Sequence, residues 1–301
     1  MKVLITGSNG QLGQVLNQLK PSNIEILNTN RSTFDLTNKL QITEYILHHK
    51  PDWVINSGAY TNVDKSEKES DLVFQTNSLS VKTISQALCQ TNGKLLQIST
   101  DFVFNGKTNK SYTPYERTNP IGVYGFSKLK AEEYIKEIIP DPNRGIILRT
   151  SWLMGHTGKN FALKMLKLHN DKDLLNVVID QIGSPTSAIS LAKTCWEIIL
   201  FSGDWNNYAN EQTPIIHFSD LGIASWYDVA IAVGEIGTEL GILNKMARVI
   251  PIKSCNYPTI AKRPEFSALD SEMIRNFLGI KTKHWRKAML EYLKLVVGQA
   301  I

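Results

Sequence analysis

The chain has 301 residues, 42 % hydrophobic and 20 % charged, with a formal net charge of +5. These values fit a globular chain of one large or two medium domains; they exclude a disordered polypeptide and give no basic block long enough for a nucleic-acid arm. The three cysteines, Cys89, Cys195 and Cys255, stand far apart without a CxxC pair, which argues for a reducing compartment and against a disulfide framework or zinc cluster.

The opening KVLIT predicts a strand, too short for a signal peptide or membrane span, so a cytoplasmic protein is expected. A helix follows over 11–20, stopped by Pro21, and IEILNTN reads as a second strand. DLTNKLQITEYILHH predicts a helix with Thr37 as N-cap, ending before Pro51. DWVINSGAY is a third strand. Apolar residues recur at helical spacing over 68–90, with Gly93 placed as the C-cap. KLLQIST, GVYGFSKLKAEEYIKEI and GIILRTSW then read as strand, helix and strand. Val-, Ile- and Leu-rich strands alternating with helices imply an α/β fold, a Rossmann-like doubly wound parallel sheet covered on both faces. Residues 1–152 are read as a dinucleotide-binding domain and 153–301 as a smaller α/β substrate-binding part, with later segments returning to the first. WRKAMLEYLKLVV near the C-terminus reads as an amphipathic helix, packed on the domain or available to an oligomer.

The glycines of TGSNGQLG follow a strand and open a helix. In that context Gly7 serves the turn, Gly10 the approach of a pyrophosphate and Gly13 close helix packing. The helix N-terminus adds free N–H groups and a positive dipole end. The spacing is GxxGxxG, and a bare packing turn is the alternative. LNTNRS, after the second strand, has no acid but has Arg31. Arg31 reads either as a contact to the extra phosphate of NADPH or as an ordinary exposed arginine.

Tyr124 and Lys128 lie four residues apart in YGFSK, on one face of the predicted helix. A free phenol titrates near ~10, and a neighbouring ammonium is expected to lower that value. Thr100, closing the fourth strand, offers a hydroxyl to a carbonyl oxygen. The glycine loop, SGAYT, STDF and RTSW all sit at the carboxyl ends of predicted parallel strands, where open α/β sheets bind their ligands.

TGSNGQLG, FDLTN, NSGAYTNVDKSEKE, STDFVFNG, YGFSKLKAEE, LRTSWLMG and DQIGSPTSA together resemble the extended short-chain dehydrogenase/reductase family, and within it the reductases of 4-keto-6-deoxyhexose nucleotides. The resemblance runs to YPTIAKRPEFSALD near the end of the chain. It implies that Gly7, Gly10, Gln11 and Leu12 wrap the pyrophosphate of NADPH, or of NADH. Asp35 and Leu36 would hold the adenine, and Ser57, Ala59 and Thr61 the ribose and nicotinamide side. Asn77 would lie near the site and Lys128 would bond the nicotinamide ribose. Tyr124 would donate a proton to the C4 oxygen while hydride reaches C4, and Thr100 would polarise that oxygen. Asp101, Phe102 and Trp152 would contact the deoxysugar; Trp152 reads equally as a packing residue. Arg263 of KRPEF suits a diphosphate, or serves as a structural arginine.

Phe102 stands where the family commonly has Tyr, which leaves the exact sugar open. GQVLNQ has no acid after the glycine loop, so the metal-bridged dimer of some members is not expected, and the chain is read as a monomer or homodimer. The six histidines show no ligand spacing, and no metal is assigned. Of the mixed charge run at 64–71, only Asp64 is considered near the cofactor. Asp101 is followed by Phe102 and not by Glu, which argues against a dehydratase. The competing expectations are a reductase or epimerase of another 4-keto-6-deoxy sugar nucleotide, and a non-catalytic NADP-binding subunit resembling the methionine adenosyltransferase β subunit. Neither a nucleic-acid nor a membrane partner is expected.

Overall fold

The computed structural model describes residues 1–297. Its first half runs β1 (Lys2–Thr6), α1 (Gln11–Gln18), β2 (Glu25–Asn28), α2 (Lys39–His49), β3 (Trp53–Asn56), α3 (Val63–Ser66), α4 (Ser70–Phe74), a π turn (Gln75–Leu79), α5 (Ser80–Thr91), β4 (Lys94–Thr100), α6 (Val123–Ile138) and β5 (Gly145–Thr150). The second half adds β6 (Leu153–Met154), α7 (Phe161–Asp171), β7 (Leu174–Val178), β8 (Ile182–Gly183), β9 (Thr186–Ser187), α8 (Ala188–Leu200), α9 (Asn206–Ala209), β10 (Ile215–His217), β11 (Ala224–Ser225), α10 (Trp226–Glu239), β12 (Arg248–Ile252), α11 (Glu272–Leu278) and α12 (Trp285–Lys294).

Six strands form one parallel sheet in the order β10-β5-β4-β3-β1-β2. The order reverses between β1 and β3, and that switch point opens a crevice at the strands' carboxyl ends. The expected doubly wound α/β fold is what the chain adopts. One face, with Val3, Ile5, Ile55, Leu96 and Leu148, packs on α1 and α8. The other, with Leu4, Val54, Leu95 and Ile147, packs on α2, α5 and α6. A separate apolar cluster joins α7, α10 and α12 with β7 and β12. No helix among the described residues is long and apolar enough to cross a membrane.

Three local expectations are corrected. Thr37 does not cap α2: its hydroxyl donates to Asp35, and the Asn38 side chain accepts the Gln41 N–H at 3.1 Å. Asn supplies the acceptor one residue nearer the first turn. Gly93 does not end α5, because Asn92 takes the left-handed conformation at φ 57°. Gly93 is needed one residue later for close packing, where a Cβ would fall 2.8 Å from the Pro51 carbonyl oxygen. The predicted single helix over 68–90 is interrupted by the π turn, which carries Asn77.

The strand register lines up buried polar side chains near the carboxyl ends. Thr6, Asn56 and Gln97 are neighbours across β1, β3 and β4, and Asn56 joins the other two at 2.5 and 2.7 Å. Ser99, Arg149 and His217 are neighbours across β4, β5 and β10. Arg149 is 1 % exposed, and Glu132 of α6 meets it through Nε at 2.9 Å and Nη2 at 2.6 Å. Ser99 donates to the same carboxylate at 2.6 Å. His217 Nδ1 faces the Tyr112 carbonyl at 2.9 Å; a carbonyl only accepts, so Nδ1 carries the proton. Nε2 is then the acceptor for Arg149 Nη1 at 3.3 Å. Burial, and next the Arg149 charge, hold His217 well below the usual imidazole range, in keeping with a neutral ring.

Breaking this buried pair from one side leaves an uncompensated charge. Glu132→Leu is expected to lower the urea unfolding free energy by about 3–5 kcal/mol. The Glu132→Leu/Arg149→Met double variant should recover part of that loss in a double-mutant cycle.

Candidate active site

The glycine loop is shaped by contacts that exclude side chains. Gly7 has φ +63°, and a Cβ there would fall 2.8 Å from Gly58 Cα. At Gly13 a Cβ would lie 2.4 Å from the Gly7 carbonyl oxygen. The loop after β1 is laced to the loop after β3: the Gly58 N–H donates to Thr6 Oγ1 at 3.0 Å and Ser57 Oγ to the Thr6 carbonyl at 2.7 Å. Gly10 occupies the N-cap of α1 without a side-chain cap, and no acid sits in the first turn. The first-turn N–H groups at Gln11 and Leu12 are thus not taken by a cap, and Gln11 Oε1 is buried without a hydrogen-bond partner. These features fit the pyrophosphate of a dinucleotide.

Around that loop, Leu36 packs against Gly58. Asp35 accepts from both the N–H and the hydroxyl of Thr37 at 2.9 Å, and the N–H bond is the main cause of its lowered pKa. Arg31 is exposed on the turn after β2. Ala59 is half-buried and Thr61 exposed in the segment before α3. Asn77 is bonded to the segment that carries Ala59 and Thr61. Its Oδ1 accepts the Tyr60 N–H at 2.7 Å, and its Nδ2 donates to the Tyr60 carbonyl at 3.1 Å and Ser127 Oγ at 3.0 Å. The side chain is spent on pinning the 60–61 backbone to α6.

Thr100, Asp101, Phe102, Tyr124 and Lys128 come together at the end of β4. Gly125 allows this, because a Cβ there would fall 2.3 Å from the Phe102 carbonyl oxygen. Only a glycine lets the first turn of α6 approach that backbone. The Thr100 hydroxyl accepts the Phe102 N–H at 3.2 Å and donates to Asp101 Oδ1 at 3.0 Å. The Phe102 and Tyr124 rings meet edge to face at 5.7 Å. Lys128 Nζ donates to the Ile98 carbonyl at 2.6 Å, leaving two of its three donors for a ligand.

The electrostatics differ from the expectation. Burial pushes the Tyr124 phenol up to about 12; Thr100 opposes this and Asp101 adds to it. Lys128 is not among the causes of this shift, so the depression expected from it is absent. Burial lowers Lys128 itself to about 8, against the pull of Glu132. Burial also raises Asp101 to about 6, opposed by the hydroxyls of Ser267 and Thr100, and its Oδ2 has no hydrogen-bond partner. The phenol is therefore held in its proton-bearing form at neutral pH.

Trp152 lies two residues beyond Thr150, the β5 partner of Thr100. Its ring stacks on Trp226 at 3.5 Å. Arg263 is paired with Asp64 at 2.8 Å, and Asp64 also accepts the Ala261 N–H at 3.2 Å. The guanidinium, read from the sequence as a diphosphate contact or a structural arginine, is held by a carboxylate on α3, and its Nη1 is buried without a partner. Pro264 and Glu265 press on Gly106, joining KRPEF to STDFVFNG. The described residues hold no group of three or more His, Cys, Asp or Glu able to bind a metal.

Gly125, Glu132, Arg149, His217 and Trp226 were missed in the sequence reading. Two had a signal there. Glu132 follows Lys128 by four residues on the same helix face. Arg149 is a charge inside a strand otherwise built for burial, which demands a partner.

Lys128 provides a pH test. Its folded pKa lies below its unfolded value, so the unfolded chain binds more protons between pH 8 and 10. Stability from this group rises with pH in that window and is lost as pH falls through about 8. Relative to Lys128→Met, the wild type should gain on the order of 1 kcal/mol per pH unit there, read by urea unfolding at stepped pH.

The family model described as the RmlD substrate binding domain matches residues 1–297. A dTDP-4-dehydrorhamnose reductase of Aggregatibacter actinomycetemcomitans is 36 % identical over 292 residues, 96 % of this chain and 97 % of that one. A crystal structure of a dTDP-4-dehydrorhamnose reductase from Clostridium acetobutylicum superposes with a TM-score of 0.88 at 35 % identity, covering 98 % of this chain and 99 % of that one. The Bacillus anthracis dTDP-4-dehydrorhamnose reductase in complex with NADP gives a TM-score of 0.87 at 31 % identity, with coverage of 97 % and 98 %. With the site geometry above, these matches place the chain in the RmlD family.

Proposed function

We propose that this chain reduces the C4 keto group of dTDP-4-dehydro-L-rhamnose to give dTDP-L-rhamnose, with NADPH as reductant. The observation that carries the reading is the convergence of Thr100, Tyr124 and Lys128 beside an uncapped glycine loop, in a chain that matches named reductases over nearly its whole length. Residues 1–152 are assigned to the dinucleotide and the later chain mainly to the sugar nucleotide, with β10 completing the sheet.

NADPH, when bound, supplies the hydride. Gly7, Gly10, Gln11 and Leu12 hold its pyrophosphate, Asp35 and Leu36 its adenine, and Ser57, Ala59 and Thr61 line the ribose and nicotinamide side. Arg31 is assigned to the extra phosphate. Asn77 acts through the Tyr60 backbone rather than by direct contact. The Tyr124 phenol donates its proton to the C4 oxygen as negative charge develops there, and the Thr100 hydroxyl steadies that oxygen. The ammonium of Lys128 bonds the ribose and favours the phenolate left after proton transfer. Asp101, Phe102 and Trp152 face the sugar. Arg263 keeps its spare Nη1 for the diphosphate.

Purified protein with NADPH and dTDP-4-dehydro-L-rhamnose should consume NADPH at a rate proportional to enzyme. Tyr124→Phe should lower kcat by about 10²–10⁴-fold, with NADPH affinity changed less than threefold. No turnover by the wild type, with the epimerase present to supply substrate, overturns the reading. NADPH binding without turnover on any 4-keto-6-deoxy sugar nucleotide would favour a regulatory subunit instead.

A further inference from the structure

Trp152 combines two unusual features. Its backbone lies in the left-handed region at φ 44°, rarely occupied by a bulky residue. Its ring lies flat on Trp226, with centroids 3.5 Å apart and planes within 2°. Aromatic pairs left to themselves prefer an offset or edge-to-face arrangement, so other contacts impose this one. The backbone is pinned on both sides: Ser151 Oγ donates to the Ser184 carbonyl at 2.6 Å, and the Trp152 carbonyl accepts the Thr186 N–H at 3.2 Å.

The second ring face is also occupied. A Cβ on Gly183 would fall 2.5 Å from Cε2, 2.6 Å from Nε1 and 2.9 Å from Cζ2 of Trp152. An in-plane approach would come closer to Nε1 or Cζ2 than to Cε2, which both flank. Gly183 therefore lies over a face, and Trp226 already covers the other. The same two residues are brought together by the β8–β11 pair, where Gly183 is opposite Ala224 and Ile182 opposite Ser225. Trp226 follows directly and is backed by Phe161 at 4.6 Å. Neither face of Trp152 is open to a sugar. Trp152 is nonetheless only half-buried, and its Nε1–H has no hydrogen-bond partner among the described residues.

We propose that Gly183 and Trp226 are positioning residues that clamp Trp152 edge-on to the substrate, so that its indole N–H donates a hydrogen bond to an oxygen of the sugar and the ring does not stack on it. This rests on the assignment of the cleft to a sugar nucleotide.

The test measures dTDP-L-rhamnose and NADPH affinity by calorimetry, and the Trp152 indole N–H resonance in ¹⁵N-tryptophan-labelled protein. That resonance is assigned by its loss in Trp152→Phe. Trp152→Phe should weaken dTDP-L-rhamnose about tenfold, the worth of one hydrogen bond, and leave NADPH within twofold. Trp226→Ala should shift the resonance in the ligand-free protein and cause a similar loss. Trp226→Phe, which keeps a flat ring, should return affinity to within about threefold of wild type. Gly183→Ala should displace the resonance without needing ligand. In the wild type, dTDP-L-rhamnose should move the resonance and dTDP alone should not.

Unchanged dTDP-L-rhamnose affinity in Trp152→Phe or Trp226→Ala overturns the proposal. If the sugar nucleotide is reduced and bound without moving the resonance, the proposed function stands and the edge-on donor falls. If nothing of the class is bound or reduced, both fall.

Discussion

The ion pair between Arg149 and Glu132 sets the geometry on which the candidate site depends. Arg149 heads the largest fully buried side chains among the described residues, and a guanidinium in that position must be neutralised and fully hydrogen-bonded. Burial pushes Glu132 upward, but Arg149 and then Ser99 outweigh it, and the carboxyl titrates below its usual range. Because Glu132 stands on α6 and Arg149 on β5, the pair fixes how that helix is rotated on the sheet. Tyr124 and Lys128 lie on the same helix, two turns and one turn earlier. Ser99, bonded to the same carboxylate, is the residue before Thr100. One buried charge pair thus holds the helix and the strand end from which the reacting groups project.

The polar row of Thr6, Asn56 and Gln97 does related work at the switch point. Buried polar side chains must find partners, and here they find one another across three strands. Thr6 also receives the Gly58 N–H, which ties the glycine loop to its neighbour. The dinucleotide crevice is consequently built on satisfied hydrogen bonds in the sheet and on backbone contacts too tight for a Cβ. Asn77 extends the same logic outward, holding the Tyr60 backbone against α6 from an irregular turn of helix.

Burial governs the protonation states in this site. It raises Tyr124 and Asp101 and lowers Lys128, so each group is shifted towards its neutral form. A phenol that keeps its proton is suited to give it up only when negative charge develops on a nearby oxygen. The helical spacing of Tyr124 and Lys128 suggested a phenol depressed by its neighbour. Spacing along a helix carries no information on desolvation, which is what raises the phenol, and Lys128 is not among the groups that shift it.

Much of the architecture could be read from the chain alone. Short Val- and Ile-rich runs alternating with amphipathic stretches have few solutions besides a covered parallel sheet, because local propensity and hydrophobic period agree along them. The glycine spacing and the Tyr-xxx-Lys pair are local patterns, and they lie where strand ends must put them. Tertiary structure decided what depends on distant residues meeting. It paired Arg263 with Asp64, spent Asn77 on Tyr60, and set Arg149 between Glu132 and His217. It also placed Trp152 between Gly183 and Trp226, residues separated from it by 31 and 74 positions respectively. Sequence periodicity reports which face of an element is buried. Which partner waits on that face, and whether a charge there keeps or loses its proton, follows only from the packed chain.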